Sequence, residues 1–419
     1  MSATPQGPTA LTRCTQPASR GIAAIIRCVN RHLLLMALCQ GLFLTNNVTF
    51  VAINGLVGLA LAPEGWMATL PVTAYVVGSA LSTAPVAWMQ AHWGRQRSFQ
   101  VGLLVAMAAC ALGATAVSAR SFGLLLVATV VAGFYAANAA LYRFAGPELV
   151  APEHKERAIS LVLAGGIIGG FIGPNLASAS RHLLAVPFAG AYVVLIGVAA
   201  VALVAVSLVR FPPHVRPAAG ASSGRPLGEL ARQPVFIVSV TGAALGYGVM
   251  NLLMAATPIA MQQCQHPFEK AALVLEWHVL GMFVPSFFTG RLIKRFGALP
   301  VMGVGVVLNI VCVAVALSGV DVMRFLIALF TLGVGWNFLY TGGTTLFTQA
   351  YRPEEKNKAQ GAMDFCVFMT MMVSSFASGA LITTQGWTLL NLGSLVPLTA
   401  VGLALAWMAS RRRRVPGSV

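Results

Sequence analysis

Long apolar stretches separated by short polar breaks run along this chain from about residue 33 to residue 409. A helix needs roughly 20 mainly apolar residues to cross a bilayer. Stretches of that length predict twelve membrane spans in two sets of six. The first set is 33–62, 67–90, 99–118, 122–144, 158–180 and 187–210, and the second is 235–262, 269–290, 298–318, 323–346, 360–384 and 388–409. The pattern therefore predicts an all-α membrane protein.

The composition agrees with that prediction. Hydrophobic residues make up 57% of the chain, charged residues only 9%, and the mean hydropathy is +0.79, far from the balance of a soluble domain. The seven cysteines include no Cys-x-x-Cys pair, which argues against a disulfide framework. The N-terminal 30 residues have no apolar core, so we expect the first span, not a cleavable signal peptide, to direct insertion.

The basic residues predict the orientation. Only four of the 27 Lys and Arg residues lie in breaks on one side of the predicted membrane, and the other 23 lie on the opposite side. The four are Arg120, Arg181, Lys270 and Arg324. Cytoplasmic loops carry the excess of positive charge, so both termini are predicted to be cytoplasmic. This topology explains the net charge of +16 better than nucleic-acid binding does, and no nucleic-acid partner is expected.

A segment rich in Pro, Gly and Ser separates the two sets of spans and is typical of a linker. The predicted units are a cytoplasmic N-terminal segment (1–32), a first six-helix half (33–210), a cytoplasmic linker (211–234), a second six-helix half (235–409) and a basic cytoplasmic tail (410–419).

Two loops in corresponding places resemble each other. Gly94 follows the second span and Gly297 follows the eighth, 203 residues later. Both loops resemble the signature loop of the major facilitator superfamily, although Ala91 and Lys294 stand where that family has an acidic residue. The resemblance implies the major facilitator fold, with two pseudo-symmetric six-helix halves. The missing acid calls the usual charge relay of this loop into question.

The fifth span contains Gly169-x-x-x-Gly173-Pro174, which resembles the antiporter motif of superfamily drug exporters. Small residues also allow helices to pack closely. Ala177 and Ser178 replace the trailing glycines of the motif, so close packing is the favoured interpretation.

Two short motifs carry the most specific chemistry, Met250-x-x-x-Met254 in the seventh span and His278-x-x-x-Met282 in the eighth. Residues four apart share one helix face. An antiparallel pairing of the two spans places Met254 level with His278, and Met250 level with Met282, near the membrane midplane. Thioether sulfur is soft and selects Cu(I), and imidazole also suits copper. The alternative is ordinary packing, for which Met is a common filler.

Other residues are candidates for supporting roles. Met261, Cys264 and His266 lie toward the outer end and are a candidate metal relay. Asn46, Asn47, Tyr75 and Glu276 are candidate cavity-lining residues. We expect Asp364, near the cytoplasmic end of the eleventh span, to pair with loop arginines.

Both motifs, with His278 28 positions after Met250, resemble those of the CcoA-type bacterial copper importers, a branch of the superfamily. The stretch Tyr142-Arg143-Phe144-Ala145 is also similar to that branch. The resemblance implies a non-enzymatic carrier in the bacterial cytoplasmic (inner) membrane. It would import copper by alternating access for cytochrome oxidase assembly, with the two motifs as metal ligands. It further implies copper as a substrate, no resident cofactor, and periplasmic or cytoplasmic copper chaperones as partners.

Two other functions stay open at this point. The glycine-rich fifth span is compatible with a proton-coupled exporter of drugs or other small molecules. A membrane copper-binding assembly factor that does not transport would carry the same Met and His motifs.

Overall fold

A computed structural model describes residues 30–64, 67, 70–180, 183–213 and 224–414. Residues 1–29 of the predicted N-terminal segment, residues 214–223 of the linker and residues 415–419 of the tail lie outside these residues. The first six spans are Arg31–Leu61, the continuous helix Leu70–Ser118 that holds the second and third, Phe122–Ala139 continued by Tyr142–Ala145, Lys155–Ala164 with Gly166–Ser180, and Ala189–Ser207. The last six are Pro234–Gln263, Phe268–Phe283 with Ser286–Phe296, Ala298–Leu317, Val322–Phe347, Lys356–Thr384 and Gly386–Arg414. Single turns at Gly146–Leu149, Pro152–His154 and Pro353–Glu355, and the helix Leu227–Ala231, lie between spans.

The described residues contain eleven segments that are long and apolar enough to cross a membrane. One of them, Leu70–Ser118, is 49 residues long, about twice the length that a bilayer requires. Its backbone turns at Gly94, so it supplies two spans and the total is twelve. The predicted all-α fold is confirmed. The cytoplasmic placement of the termini and the division into units stay predictions.

The same backbone turn occurs at the two related loops. Gly94 has φ 80° and ψ 173°, and Gly297 has φ 86° and ψ 163°. Glycine adopts positive φ without the steric cost that a side chain would add. The two glycines therefore reverse the chain in the same way in each half, 203 residues apart.

Glycines let the helices within the first half approach closely. A side chain on Gly78 of the second span would overlap the backbone of Val130 in the fourth. Gly169 and Gly173 of the fifth span face Leu44 and Val48 of the first in the same manner. This contact accounts for the glycine-rich stretch by helix packing.

The two halves meet along two seams at the end of the molecule that holds residues 211–213 and 224–233, here called the linker side. In the first seam, a Cβ on Gly361 of the eleventh span would lie 2.9 Å from Ala87 of the second. In the second seam, a Cβ on Gly290 of the eighth span would lie 2.7 Å from the Glu156 carbonyl of the fifth. The 203-residue repeat relates position 290 to position 87, so the two seams are counterparts.

Charged side chains close the first seam. Arg95 Nη2 lies 2.8 Å from Glu148 Oε1 and 2.7 Å from Gln360 Oε1, and Lys356 Nζ lies 3.2 Å from the same Glu148 oxygen. A charge relay is therefore present at this loop, although the missing acid called the usual one into question. Arg95, which follows Gly94, pairs with Glu148 from the chain after the fourth span. An acidic residue at position 91 is therefore not needed for this pair.

Candidate functional site

A cavity lies between the two halves. Nineteen residues line it, from the first, second, fourth and fifth spans of the first half and the seventh, eighth, tenth and eleventh of the second. Its empty volume is about 750 Å³, open solvent included. Seven of the lining residues are aromatic: Phe43, Tyr75, Tyr247, Phe283, Trp336, Tyr340 and Phe368.

The second half contributes a cluster of flat rings to this cavity. Trp336 stacks on Tyr340 with 5.0 Å between ring centroids and 16° between planes, because the two are four residues apart on the tenth span. Tyr247 of the seventh span meets both rings edge-on at 5.4 Å. Phe283 of the eighth span lies 5.9 Å from Trp336. This wall of the cavity is thus built from closely packed aromatic rings, of which Trp336 is 2% and Tyr340 7% exposed.

One ion pair also lines the cavity and joins the halves. Arg143, at the end of the fourth span, donates through Nη2 to Asp364 Oδ1 of the eleventh. Both residues are 2% exposed. The guanidinium lies over the rings of Phe144 and Tyr340, at 4.5 and 4.7 Å from their centroids. Asp364 therefore pairs with an arginine inside the protein and not with a loop arginine as expected, because a carboxylate at that depth requires a buried counter-charge.

We use the name Met/His face for the four residues predicted to bind metal, Met250, Met254, His278 and Met282. Met250, His278 and Met282 are buried and Met254 is half-buried. None of the four lines the cavity between the halves. On the eighth span, Phe283 lines the cavity, whereas His278 and Met282 contact the tenth span.

The seventh and eighth spans touch each other lightly, and both pack against the tenth. A Cβ on Gly246 of the seventh span would lie 2.9 Å from Leu339 of the tenth. The two spans run in opposite directions, so Met250, one turn after Gly246, is level with the residues about one turn before Leu339. Asn337 donates its amide to the Met282 carbonyl at 2.7 Å, at that same level. The tenth span, not a direct hairpin contact, sets Met250 and Met282 at matching depth.

The hydrogen bonding of His278 determines its tautomer. Nδ1 lies 2.7 Å from the Leu329 carbonyl oxygen. A carbonyl only accepts, so Nδ1 carries the proton and Nε2 keeps a free lone pair. Nε2 is buried and has no partner among the described residues. Histidines that bind metals commonly donate their other ring N–H to a carbonyl in this way.

The structure contains no group of three or more His, Cys, Asp and Glu residues that could hold a metal, within the part of the chain it describes. Of the candidate relay residues, Met261 is fully buried and Cys264 half-buried, while His266 Nε2 lies 2.6 Å from the Val320 carbonyl. A metal at this end of the molecule would therefore depend on Met and His donors.

Two of the four candidate lining residues do line the cavity. Tyr75 donates its hydroxyl to Asn47 Oδ1 at 2.6 Å, and both side chains border the cavity. Asn46 instead donates to the Leu195 carbonyl at 3.2 Å, and Glu276 is exposed on the eighth span. Neither of these two residues lines the cavity.

Sequence reasoning missed the aromatic cluster and the ion pair. A signal for the pair was present, since Arg143 and Asp364 lie inside two predicted apolar spans and have opposite charges. Ionisable residues within spans commonly pair with each other. The aromatic residues gave no comparable signal, because aromatic residues occur throughout apolar spans.

A family model described as Major Facilitator Superfamily matches residues 33–275 and 245–419. The riboflavin transporter RfnT of Brucella anthropi is 39% identical over 364 residues, which cover 86% of this chain and 91% of that protein. The uncharacterized MFS-type transporter YddS of Bacillus subtilis is 24% identical, over 79% of this chain and 80% of that protein.

Solved structures give the same fold. The human organic anion transporter MFSD10 matches with a TM-score of 0.72 and 14% identity, covering 90% of this chain and 99% of that one. A bacterial homologue of the iron transporter ferroportin, in an outward-facing state, matches with a TM-score of 0.71 and 16% identity, covering 91% and 98%. At such identities the likeness concerns the fold alone.

Proposed function

The chain belongs to the Major Facilitator Superfamily, a family of secondary transporters, and on that premise we propose that its substrate is a planar, uncharged heteroaromatic molecule of the riboflavin class. The observation that carries this proposal is the cavity between the halves, where the parallel rings of Trp336 and Tyr340 adjoin a buried ion pair.

The chemistry of the cavity favours this class of substrate. Flat rings bind other flat rings by stacking. Arg143 and Asp364 together carry no net charge, so an uncharged ligand preserves the balance inside the membrane. The opposite wall supplies Gln40, Asn47 and Ser79, whose polar side chains suit the hydroxyl groups of a sugar-alcohol chain. The 39% identity to a riboflavin transporter supports the same class.

Riboflavin fluorescence provides the test. Purified protein in liposomes should accumulate riboflavin faster than protein-free liposomes. Trp336→Ala should lower that rate about 5- to 150-fold, because stacking of a heteroaromatic ring on an aromatic side chain contributes about 1–3 kcal/mol. Trp407→Ala is the matched control, since Trp407 lies on the outer surface of the twelfth span with 39% exposure. Equal rates for the two variants, or no uptake by the unmodified protein, would contradict the proposal.

Copper is a second candidate substrate, and one specific observation favours it. His278 has a buried Nε2 with a free lone pair and a fixed tautomer, and the two motifs supply three thioethers as further candidate ligands. Leaving a polar atom unpaired at depth is unfavourable, and a soft metal ion would remove that cost. The import of copper for oxidase assembly, with copper chaperones as partners, belongs to this second hypothesis.

Copper uptake and copper binding should be measured in the same liposomes, with zinc and nickel for comparison. Under the copper hypothesis, His278→Ala and Met254→Ala stop uptake, while the controls His92→Ala and Met323→Ala, both at exposed positions, leave it unchanged. Copper uptake at the parent rate in His278→Ala would reject the site. Stoichiometric copper binding without continued uptake would instead indicate a copper-binding assembly factor.

A further inference from the structure

The ion pair in the cavity is incompletely paired. Arg143 donates through Nη2 to Asp364 Oδ1 and through Nη1 to the Ala140 carbonyl. Arg143 Nε and Asp364 Oδ2 have no partner among the described residues, although both atoms are buried. One donor and one acceptor are thus left over on two adjacent side chains that line the cavity.

Such leftover groups select their ligand. A ligand that pairs with both atoms recovers the free energy that burial costs them, and a ligand without a matching group leaves a carboxylate oxygen unpaired. The matching edge has an N–H donor beside a carbonyl acceptor. It must also be flat, because the Tyr340 ring covers one face of the guanidinium at 4.7 Å and stacks on Trp336.

We infer that Arg143 and Asp364 recognise the cyclic imide edge of a planar heteroaromatic substrate. Asp364 Oδ2 accepts a hydrogen bond from the imide N–H, and Arg143 Nε donates to a neighbouring carbonyl. In riboflavin this edge is N3–H with its two flanking carbonyls. The inference rests on the proposed function, and it adds which side chains form hydrogen bonds with which edge of the substrate.

The edge also bears on transport. Arg143 belongs to the first half and Asp364 to the second, 221 residues apart. A substrate bound to both side chains contacts both halves at once. The imide is therefore bound at the interface between the two halves, which move relative to each other during alternating access.

The test compares riboflavin with 3-methylriboflavin, in which a methyl group replaces the imide hydrogen and the ring system is otherwise kept. Binding is measured by quenching of flavin fluorescence with purified protein, and uptake is measured in liposomes. The unmodified protein should favour riboflavin at least about tenfold, since the methylated edge cannot donate to Asp364. Equal binding and uptake of the two flavins would overturn the inference and leave riboflavin transport standing.

The Asp364→Asn variant assigns the preference to this residue. Its amide presents hydrogens as well as an oxygen, so riboflavin should bind more weakly and the ratio between the two flavins should fall toward one. An unchanged ratio of binding between the two flavins would show that another group accepts the hydrogen bond from the imide N–H. If Asp364→Asn does not fold, Asp364→Glu keeps the charge and should retain the preference while shifting affinity, and loss of the preference there would count against the assignment. Absence of any riboflavin binding by the unmodified protein would overturn both proposals.

Discussion

The cavity between the halves and the Met/His face differ in which helices build them. Eight spans from both halves line the cavity, and its ion pair joins the fourth span to the eleventh. The Met/His face involves the seventh, eighth and tenth spans, all in the second half. A ligand in the cavity contacts surfaces that move apart during alternating access. A ligand on the Met/His face stays with one half, so its binding is not coupled to the movement by geometry alone.

The two regions also differ in polarity. The cavity contains a full positive and a full negative charge, whereas the Met/His face has thioethers and one imidazole. Removing one member of a buried charge pair is costly, while removing an uncharged donor costs little beyond packing. The following predictions use this difference, from the largest expected effect on stability to the smallest.

Arg143→Met should destabilise the protein most. It leaves Asp364 as an uncompensated buried carboxylate, which costs about 3–5 kcal/mol. Thermal unfolding in detergent should show a large drop in Tm. The double variant Arg143→Met/Asp364→Leu should regain most of the lost stability and still fail to transport riboflavin. A double variant as unstable as the single one would show that packing, not charge, accounts for the loss.

Gly333→Ala should disturb the Met/His face selectively. The added Cβ would lie 2.5 Å from the His278 carbonyl and 2.8 Å from the Met282 nitrogen, so the eighth span must shift away from the tenth. Overpacking of this kind costs about 1–3 kcal/mol, and any copper affinity should fall sharply. Gly303→Ala on the ninth span is the control, because nothing lies within 4 Å of its added Cβ. Similar losses in both variants would indicate a general effect of replacing a helical glycine.

Glu148→Gln should change the apparent affinity for riboflavin and leave copper binding unchanged, because it alters the contact between the two halves. It weakens the bonds to Arg95 and Lys356 that close the first seam. A partly exposed ion pair contributes about 1 kcal/mol, so the apparent riboflavin affinity should change about fivefold. Copper binding should not change, because the Met/His face lies within one half. Isothermal titration of both ligands measures the difference. Asp321→Asn, which removes the exposed pair with Arg324, is the control and should alter neither affinity.

His278→Leu should alter stability least. Leucine fills a similar volume and removes the unpaired Nε2, but it also loses the hydrogen bond from Nδ1 to the Leu329 carbonyl. These two effects oppose each other, so the free energy of unfolding should change by less than about 1 kcal/mol. Riboflavin uptake should stay within about twofold of the parent rate. A large loss of riboflavin uptake in a stable variant would show that the two regions are coupled.

Much of the fold was predictable because hydrophobic length alone determines where spans occur. The predicted 298–318 and 323–346 correspond to helices Ala298–Leu317 and Val322–Phe347. Interruptions inside spans were not predictable from hydropathy, such as those after Ala164 and Phe283. They follow from local glycine and proline geometry within stretches that remain apolar.

The candidate site was predictable in part. Asn47 and Tyr75 were among the four candidate lining residues, and both line the cavity. The Met and His motifs stood out because residues four apart are neighbours in sequence as well as in space. The pair Arg143 and Asp364 joins positions 221 residues apart, and no short-range pattern relates them. Pairing opposite charges across apolar spans would have been the route to it.

The two seams on the linker side differ in their bonds. The first is closed by the charged network of Arg95, Glu148 and Lys356, and the second by Lys294 donating to the Glu153 carbonyl at 2.7 Å. Salt screens exposed charges much more than partly buried ones, and Arg95 and Glu148 are only 4% and 23% exposed, whereas the Lys294 bond is exposed. Ionic strength should therefore loosen the second seam before the first, so that the halves separate by pivoting about the first seam instead of parting evenly.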